Sequence, residues 1–364
     1  MSGMCGCALF LALILWASFG AADTPQTPYR TIEVTYSNPD APGVTLAATL
    51  TEPASGGPFP AVLLITGAGP QDRDETISDQ KPFRVLADYL TRRGIAVLRA
   101  DDRGVGESTG RFEGVTTKGF STDAEAGVRY LQSRTDIDPK QIGLLGHGEG
   151  AMIAAMVADD LPNIAFIVML EATGVPGEQV LLEQTERAEK AADMPRDQIK
   201  ADRQIGTILY DMAKQNKSVK DMRQALIAYD LRIIHEDGDT GVTTAPWATK
   251  LQSFEDPWLR FFLAYDPAPR LAKLKCPVLA LSGEKDLQVI ADQNVPAIKA
   301  ALAQGGNKNA TVEILPGLNY LLQPAKTGLV YEYASSPVAI SPAVLQKIGD
   351  WIAAHTHNAA ATKE

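Results

Sequence analysis

A run of five residues, Gly146-His147-Gly148-Glu149-Gly150, constrains this chain more than any other stretch. Before it stands the apolar run Ile142-Gly143-Leu144-Leu145. After it come residues 151–157, in which Met152, Ile153, Met156 and Val157 share one helical face. A strand that turns at once into a helix brings two backbones too close for side chains at the outer positions, and glycine meets that demand. Such a turn displays its central residue at the end of the strand, the place for a nucleophile. Here that residue is Gly148, which has no atom to attack with.

The flanking chain fits a sheet built around this turn. Residues 30–36 and 44–51 alternate apolar and polar side chains across an Asn-Pro-Asp-Ala-Pro-Gly link, which predicts an antiparallel hairpin. Residues 61–65, 95–98, 142–145, 164–170 and 277–281 are apolar on both faces, as central strands are. Helical periodicity over 83–93 and 122–134 separates them. Strands alternating with helices predict an α/β fold with a mostly parallel central sheet and helices on both faces. Residues 311–315 supply its last strand and 342–355 its closing helix.

Between 177 and 258 the alternation stops and the pattern is helical and charged. Ile205, Ile208, Leu209 and Met212 mark one apolar face; Met222, Leu226, Tyr229 and Ile233 mark another. Aromatics and long apolar runs are too sparse here for an independent core, so the segment reads as a helical cap over the sheet's C-terminal edge. The core is then 23–176 with 259–357, and 358–364 a disordered tail.

Composition limits the partners. With 34 Lys and Arg against 44 Asp and Glu, the formal charge is −10, which disfavours nucleic acid or an anionic membrane surface. The apolar stretch 8–19 followed by Ser18-Phe19-Gly20-Ala21-Ala22 reads as a signal peptide over 1–22, its alternative being an uncleaved anchor. An exported, periplasmic or secreted protein is expected, with no stable membrane association after cleavage. Cys5 and Cys7 leave with the peptide, and Cys276 remains without an intrachain partner.

Acyl-transfer chemistry needs a nucleophile, a base, an acid that orients the base, and donors for an oxyanion. Asp286 follows the strand 277–281 and is placed to reach a histidine on the next loop, or else to cap the following helix. That next loop, Pro316-Gly317-Leu318-Asn319-Tyr320, has no histidine. His355 and His357 belong to the chain's end, His235 to the cap, and His147 points away from the site. The glycine-containing turn Thr66-Gly67-Ala68-Gly69-Pro70 offers Gly67 and Ala68 as oxyanion donors, with the backbone N–H of Glu149 as the second source. The same turn also suits a plain strand-to-helix connection. Asp101-Asp102-Arg103 reads as an ion-paired loop bracing this edge.

Several motifs together resemble the bacterial α/β-hydrolase esterases, relatives of serine aminopeptidases and acyl-CoA thioester hydrolases. They are 69–75 (Gly-Pro-Gln-Asp-Arg-Asp-Glu), 101–110, the turn at 146–150, and Ser282-Gly283-Glu284-Lys285-Asp286. The resemblance spans about 36–352 and implies a capped α/β-hydrolase fold, an ester or acyl ligand, and no metal or organic cofactor. It also implies a serine where Gly148 stands and a histidine where Tyr320 stands, so only Asp286 remains of the triad. Three functions are compatible with that: a silent homologue that binds a small molecule under its cap, weak ester hydrolysis by water attack, or lyase or isomerase chemistry using Tyr320 and Asp286.

Overall fold

The computed structural model describes residues 29–161, 163–237 and 242–356, without the side chains of 233–237. The signal-peptide and tail expectations, with His357 and the His235 side chain, lie outside these described residues. Among the described residues no helix is long and apolar enough to cross a membrane.

Strands β1 (Tyr29–Ser37) and β2 (Thr45–Pro53) form the antiparallel hairpin, and β2 pairs antiparallel with β4 (Ala96–Ala100). From there the sheet is parallel. β3 (Phe59–Ile65) lies between β4 and β5 (Ile137–His147), and β6 (Ile167–Leu170), β7 (Val278–Gly283) and β8 (Ala310–Leu315) follow outward. The eight-stranded order is β1-β2-β4-β3-β5-β6-β7-β8.

Every residue of β3 is buried, and the two-residue period of a strand sorts them into two cores. Ala61, Leu63 and Ile65 face the layer of α2 (Thr117–Gln132) and α3 (Glu149–Asp160). Val62 and Leu64 face Phe83, Leu86 and Leu90 of α1 (Pro82–Arg92) and Val344 and Ile348 of α11 (Pro342–His355). Apolar residues on both strand faces thus require helices on both sides, and the parallel strands all end at one edge. That edge carries the site.

Among the described residues, six α-helices separate β6 from β7: α4 (Gly177–Ala191), α5 (Arg196–Lys214), α6 (Val219–Asp237), α7 (Ala245–Lys250), α8 (Pro257–Ala264) and α9 (Ala268–Leu271). The last strand is preceded by α10 (Ala291–Gln304). Three expectations are corrected here. The insertion does build its own apolar cluster, with Ile205, Leu209, Met222, Leu226, Tyr229, Trp247 and Phe254 buried together. Tyr210 supplies the link that sequence spacing hides, its ring lying 5.8 Å from Trp247 and 6.0 Å from Phe254. Ile208 is exposed, because α5 turns only the Ile205 and Leu209 side of its apolar stripe inward. The insertion also runs past 258: Asp256 caps α8, accepting the Trp258 N–H at 2.9 Å, so a helix begins there where a boundary was expected.

Candidate functional site

The turn after β5 has the geometry its glycines demand. A Cβ on Gly146 would strike the backbone of Gly150, and one on Gly150 would strike Ile65. Gly148 sits between them at φ 53° and ψ −114°, and its N–H donates to Leu170 O at 2.9 Å. Few side chains tolerate that conformation. The turn then opens directly into α3, whose first N–H belongs to Glu149 and has no acceptor within the helix.

Tyr320 occupies the space in front of Gly148. A Cβ built on Gly148 would overlap the Tyr320 hydroxyl, and one on Gly67 would lie 3.1 Å from it. The loop carrying Tyr320 is held by buried Asn319, whose side-chain oxygen accepts from the Leu321 and Gln323 N–H groups at 3.1 and 3.0 Å. Behind it, the Lys285 N–H donates to Leu318 O at 2.7 Å, tying this loop to the end of β7. Burial, reinforced by the carboxylates of Glu75, Asp286 and Glu171, pushes the phenol well above its usual titration range. Tyr320 is therefore a neutral hydrogen-bond donor at any physiological pH and a poor base.

Asp286 is buried at the turn after β7, with Oδ1 accepting the Gln288 N–H at 2.6 Å. Its Oδ2 meets no N–H or hydroxyl donor among the described residues. The acid of the expected triad thus has no base to orient. Beside it stands Glu171, fully buried at φ 49° just past β6, with Oε1 accepting the Gly283 N–H at 2.8 Å. Burial pushes both carboxyls up, Asp286 to about 6 and Glu171 well beyond the carboxylate range, where the charge of Asp286 adds to the effect. Glu171 keeps the proton that the two acids share.

His147 and Glu75 form a second buried pair on the inner side of the turn. Nδ1 of His147 lies 2.9 Å from Glu75 Oε1, and Nε2 lies 2.8 Å from the Tyr320 carbonyl oxygen. The carbonyl oxygen can only accept, so Nε2 carries a proton, and Nδ1 shares one with the Glu75 carboxyl. Although burial alone would lower it, the Glu75 carboxylate raises the His147 pKa. Its ring packs against Tyr320 at 4.3 Å, yet both nitrogens are engaged away from the phenol oxygen.

The oxyanion expectation is corrected in part. The Gly67 N–H is taken by Glu75 Oε1 at 2.7 Å. A carboxylate supplied by the following loop, at φ 52°, reaches back to the turn, which spacing alone does not reveal. Ala68 and Glu149 remain as candidate donors, and both line one cavity with Gly148 and Tyr320. That cavity measures about 380 Å³. Val180, Leu181 and Phe262 of the insertion and Val289 and Val330 of the core make it mainly apolar. Glu149 closes one side: its buried carboxyl accepts from Thr117 Oγ1 at 2.6 Å and from Trp258 Nε1 at 2.7 Å. Tyr333 also lines the cavity, buried, with a hydroxyl lacking a partner among the described residues.

The neighbouring acidic loop is tied by ion pairs. Arg73 meets Asp101 at 2.7 Å, and Arg103 meets Asp123 at 2.6 Å. Asp102 accepts from Thr66 Oγ1 and the Gln71 N–H at 2.8 and 2.9 Å, and burial pushes its carboxyl up to about 7. His355 lies far along the chain at the exposed end of α11, stacked on Trp351. It takes no part in the site.

Strand order, the sharp turn after β5 and the acid after β7 define an α/β-hydrolase core. The chain belongs to the X-Pro dipeptidyl-peptidase (S15) family, whose model matches residues 42–310. Esterase EstD of Thermotoga maritima is 35% identical over 139 residues, which is 38% of this chain and 33% of that protein. An uncharacterised Mycobacterium tuberculosis protein is 32% identical over 114 residues, 31% of this chain and 37% of its own length. The chain therefore aligns with only about a third of the length of these curated relatives. Among solved structures, the Pyrococcus furiosus esterase Pf2001 superposes with a TM-score of 0.55 at 17% identity, covering 92% of this chain and 94% of that one. The α/β hydrolase GrgF from Penicillium sp. sh18 gives 0.54 at 15% identity, covering 90% and 99%. These structural likenesses concern the fold.

The structure places Gly148, Tyr320, Asp286, Ala68 and Glu149, the residues expected from the sequence, at the ends of the parallel strands, and sets beside them Glu75, Glu171, Trp258 and Tyr333, which the sequence did not single out. Glu75 and Glu171 each follow an apolar strand or turn and each adopts positive φ, a backbone property with no sequence mark in a glutamate.

Proposed function

We propose that this protein is an exported α/β-hydrolase-fold protein in which serine-hydrolase chemistry is silenced and the cavity beneath the helical cap binds an ester or acyl compound without turning it over. One observation carries the reading: the hydroxyl of Tyr320 stands where the side chain of a nucleophile at position 148 would have to be. Two of the three triad groups are absent, and triad members act as a unit. Losing one member already removes most of the triad's contribution to the rate.

The lyase or isomerase alternative needs Tyr320 to exchange a proton near neutral pH. The raised phenol pKa argues against that role. Its hydroxyl is suited instead to donate, alongside the Ala68 and Glu149 N–H groups, to a carbonyl oxygen at the cavity floor. Weak hydrolysis by water attack would need a base, and His147 has both nitrogens engaged. Support for the esterase-type ligand comes from the likeness to Esterase EstD and from the mainly apolar cavity.

Covalent labelling tests this. After incubation with an alkyl fluorophosphonate, intact-protein mass spectrometry should show no adduct. A stoichiometric adduct, whether on a serine anywhere in the chain or on Thr173, Tyr320 or Tyr333 of the cavity lining, overturns the proposal.

A further inference from the structure

Glu149 lines the cavity and is only 7% exposed, and its two carboxyl oxygens are used unequally. Oε1 accepts both protein donors, Thr117 Oγ1 at 2.6 Å and Trp258 Nε1 at 2.7 Å. Oε2 meets no donor among the described residues. A buried carboxylate oxygen without a donor is costly, so the position is made good by a donor from a ligand. Burial raises the Glu149 pKa, and the bonds from Thr117 and Trp258 act against that rise.

The surroundings select the kind of donor. Among the described residues the cavity lining holds no Lys, Arg or His, so no cation of the protein competes for Oε2. Glu149 is also the first residue of α3, whose unpaired N–H groups put partial positive charge at the cavity floor. An ammonium group would meet that charge; a neutral N–H does not. The same floor offers the Tyr320 hydroxyl and the Ala68 and Glu149 N–H groups to a carbonyl oxygen. The backbone N–H and the carboxyl of Glu149 belong to one residue, so a ligand that uses both needs an N–H on the same side as its carbonyl. A trans secondary amide points the two in opposite directions. A primary amide has one N–H on the carbonyl side.

We propose that Glu149 recognises the head of the ligand, and that this head is a primary carboxamide on an apolar chain, with its oxygen at the Ala68 and Glu149 N–H groups and one amide hydrogen donated to Glu149 Oε2. The proposal rests on the reading that the cavity binds an acyl compound and names the acyl class. Esters and ketones bring the oxygen but no donor, and leave Oε2 bare. A free acid brings a second negative charge beside the first. Val180, Leu181 and Phe262 supply the apolar lining for the chain.

Hexanamide and methyl pentyl ketone test this, because they match in shape and differ only in an amino group where the ketone has a methyl. In calorimetric titration at pH 8 the wild-type protein should bind hexanamide at least about threefold tighter, although the amide costs more to remove from water. Glu149→Gln keeps an oxygen for Thr117 and Trp258 and puts a donor in place of Oε2. In that variant the ratio of amide to ketone affinity should fall at least about tenfold, as expected for loss of a hydrogen bond to a charged group. Hexylamine should bind the wild-type protein more weakly than hexanamide. A wild-type preference for the ketone, or an unchanged ratio in Glu149→Gln, overturns the role of Glu149 and leaves acyl binding intact. Tighter binding of hexylamine than of hexanamide overturns the neutral head. Binding of neither amide nor ketone overturns both readings. The wild-type comparison stands even where Glu149→Gln does not fold.

Discussion

Gly148 and Tyr320 are two residues that fit each other. The turn at 148 needs φ 53°, which already strains any L side chain, and the Tyr320 hydroxyl fills the space beyond it. Gly148→Ala should therefore destabilise the protein by about 1–3 kcal/mol, from backbone strain plus overpacking. Tyr320→Ala opens that space, so the penalty of Gly148→Ala should fall when both changes are made. A double-mutant cycle by urea unfolding should give a coupling of roughly 0.5–3 kcal/mol. Strict additivity would mean that the tyrosine does not press on residue 148. His147 shows how a residue's place in a motif and its role differ. It sits next to the nucleophile position, yet it serves as one half of a buried ion pair that also fixes the Tyr320 backbone.

At the scale of elements, the ends of β6 and β7 bring Glu171 and Asp286 together with one proton between them. Each carboxyl has a folded-state pKa above that of an unfolded chain, so the native state binds protons more tightly. Stability from this pair is fullest at acid pH and falls as pH rises through about 4 to 6, where Asp286 ionises in the folded state. Glu171→Gln keeps an acceptor for the Gly283 N–H and adds a permanent donor toward Asp286. The variant should be more stable than wild type at pH 8, on the order of 1–3 kcal/mol, with a flatter decline between pH 4 and 7. Thermal unfolding across that range checks it; an unchanged slope would mean that the pair is not linked to folding.

Most of this element plan was legible beforehand. The both-face apolar runs at 61–65 and 142–145 require a covered parallel sheet, and the glycines at 146 and 150 require the sharp turn. The insertion's core was harder to read. Its buried aromatics, Tyr210, Trp247 and Phe254, come from separate helices, and local periodicity carries no trace of contacts between them. The same limit hid Trp258, which meets Glu149 across 109 residues of sequence. Glu75 escaped notice because its chain reversal depends on a glutamate at positive φ.

On the scale of the whole molecule, the proposal is of a fold that keeps what surrounds the reaction without the groups that perform it. The sheet edge, the acid at Asp286, the Ala68 and Glu149 N–H groups and a cavity walled by the insertion are all in place. On this proposal, Gly148 and Tyr320 stand where a complete triad would have its serine and histidine. The direct measurement is p-nitrophenyl acetate turnover by four proteins: wild type, Gly148→Ser, Tyr320→His, and the double variant. Wild type and both single variants should stay at the rate of a heat-denatured control, Gly148→Ser because its new side chain meets Tyr320 and lacks a base. The double variant should turn the ester over at least about a hundredfold faster. Saturable turnover by the wild-type protein, or a double variant as silent as the single ones, would contradict the account.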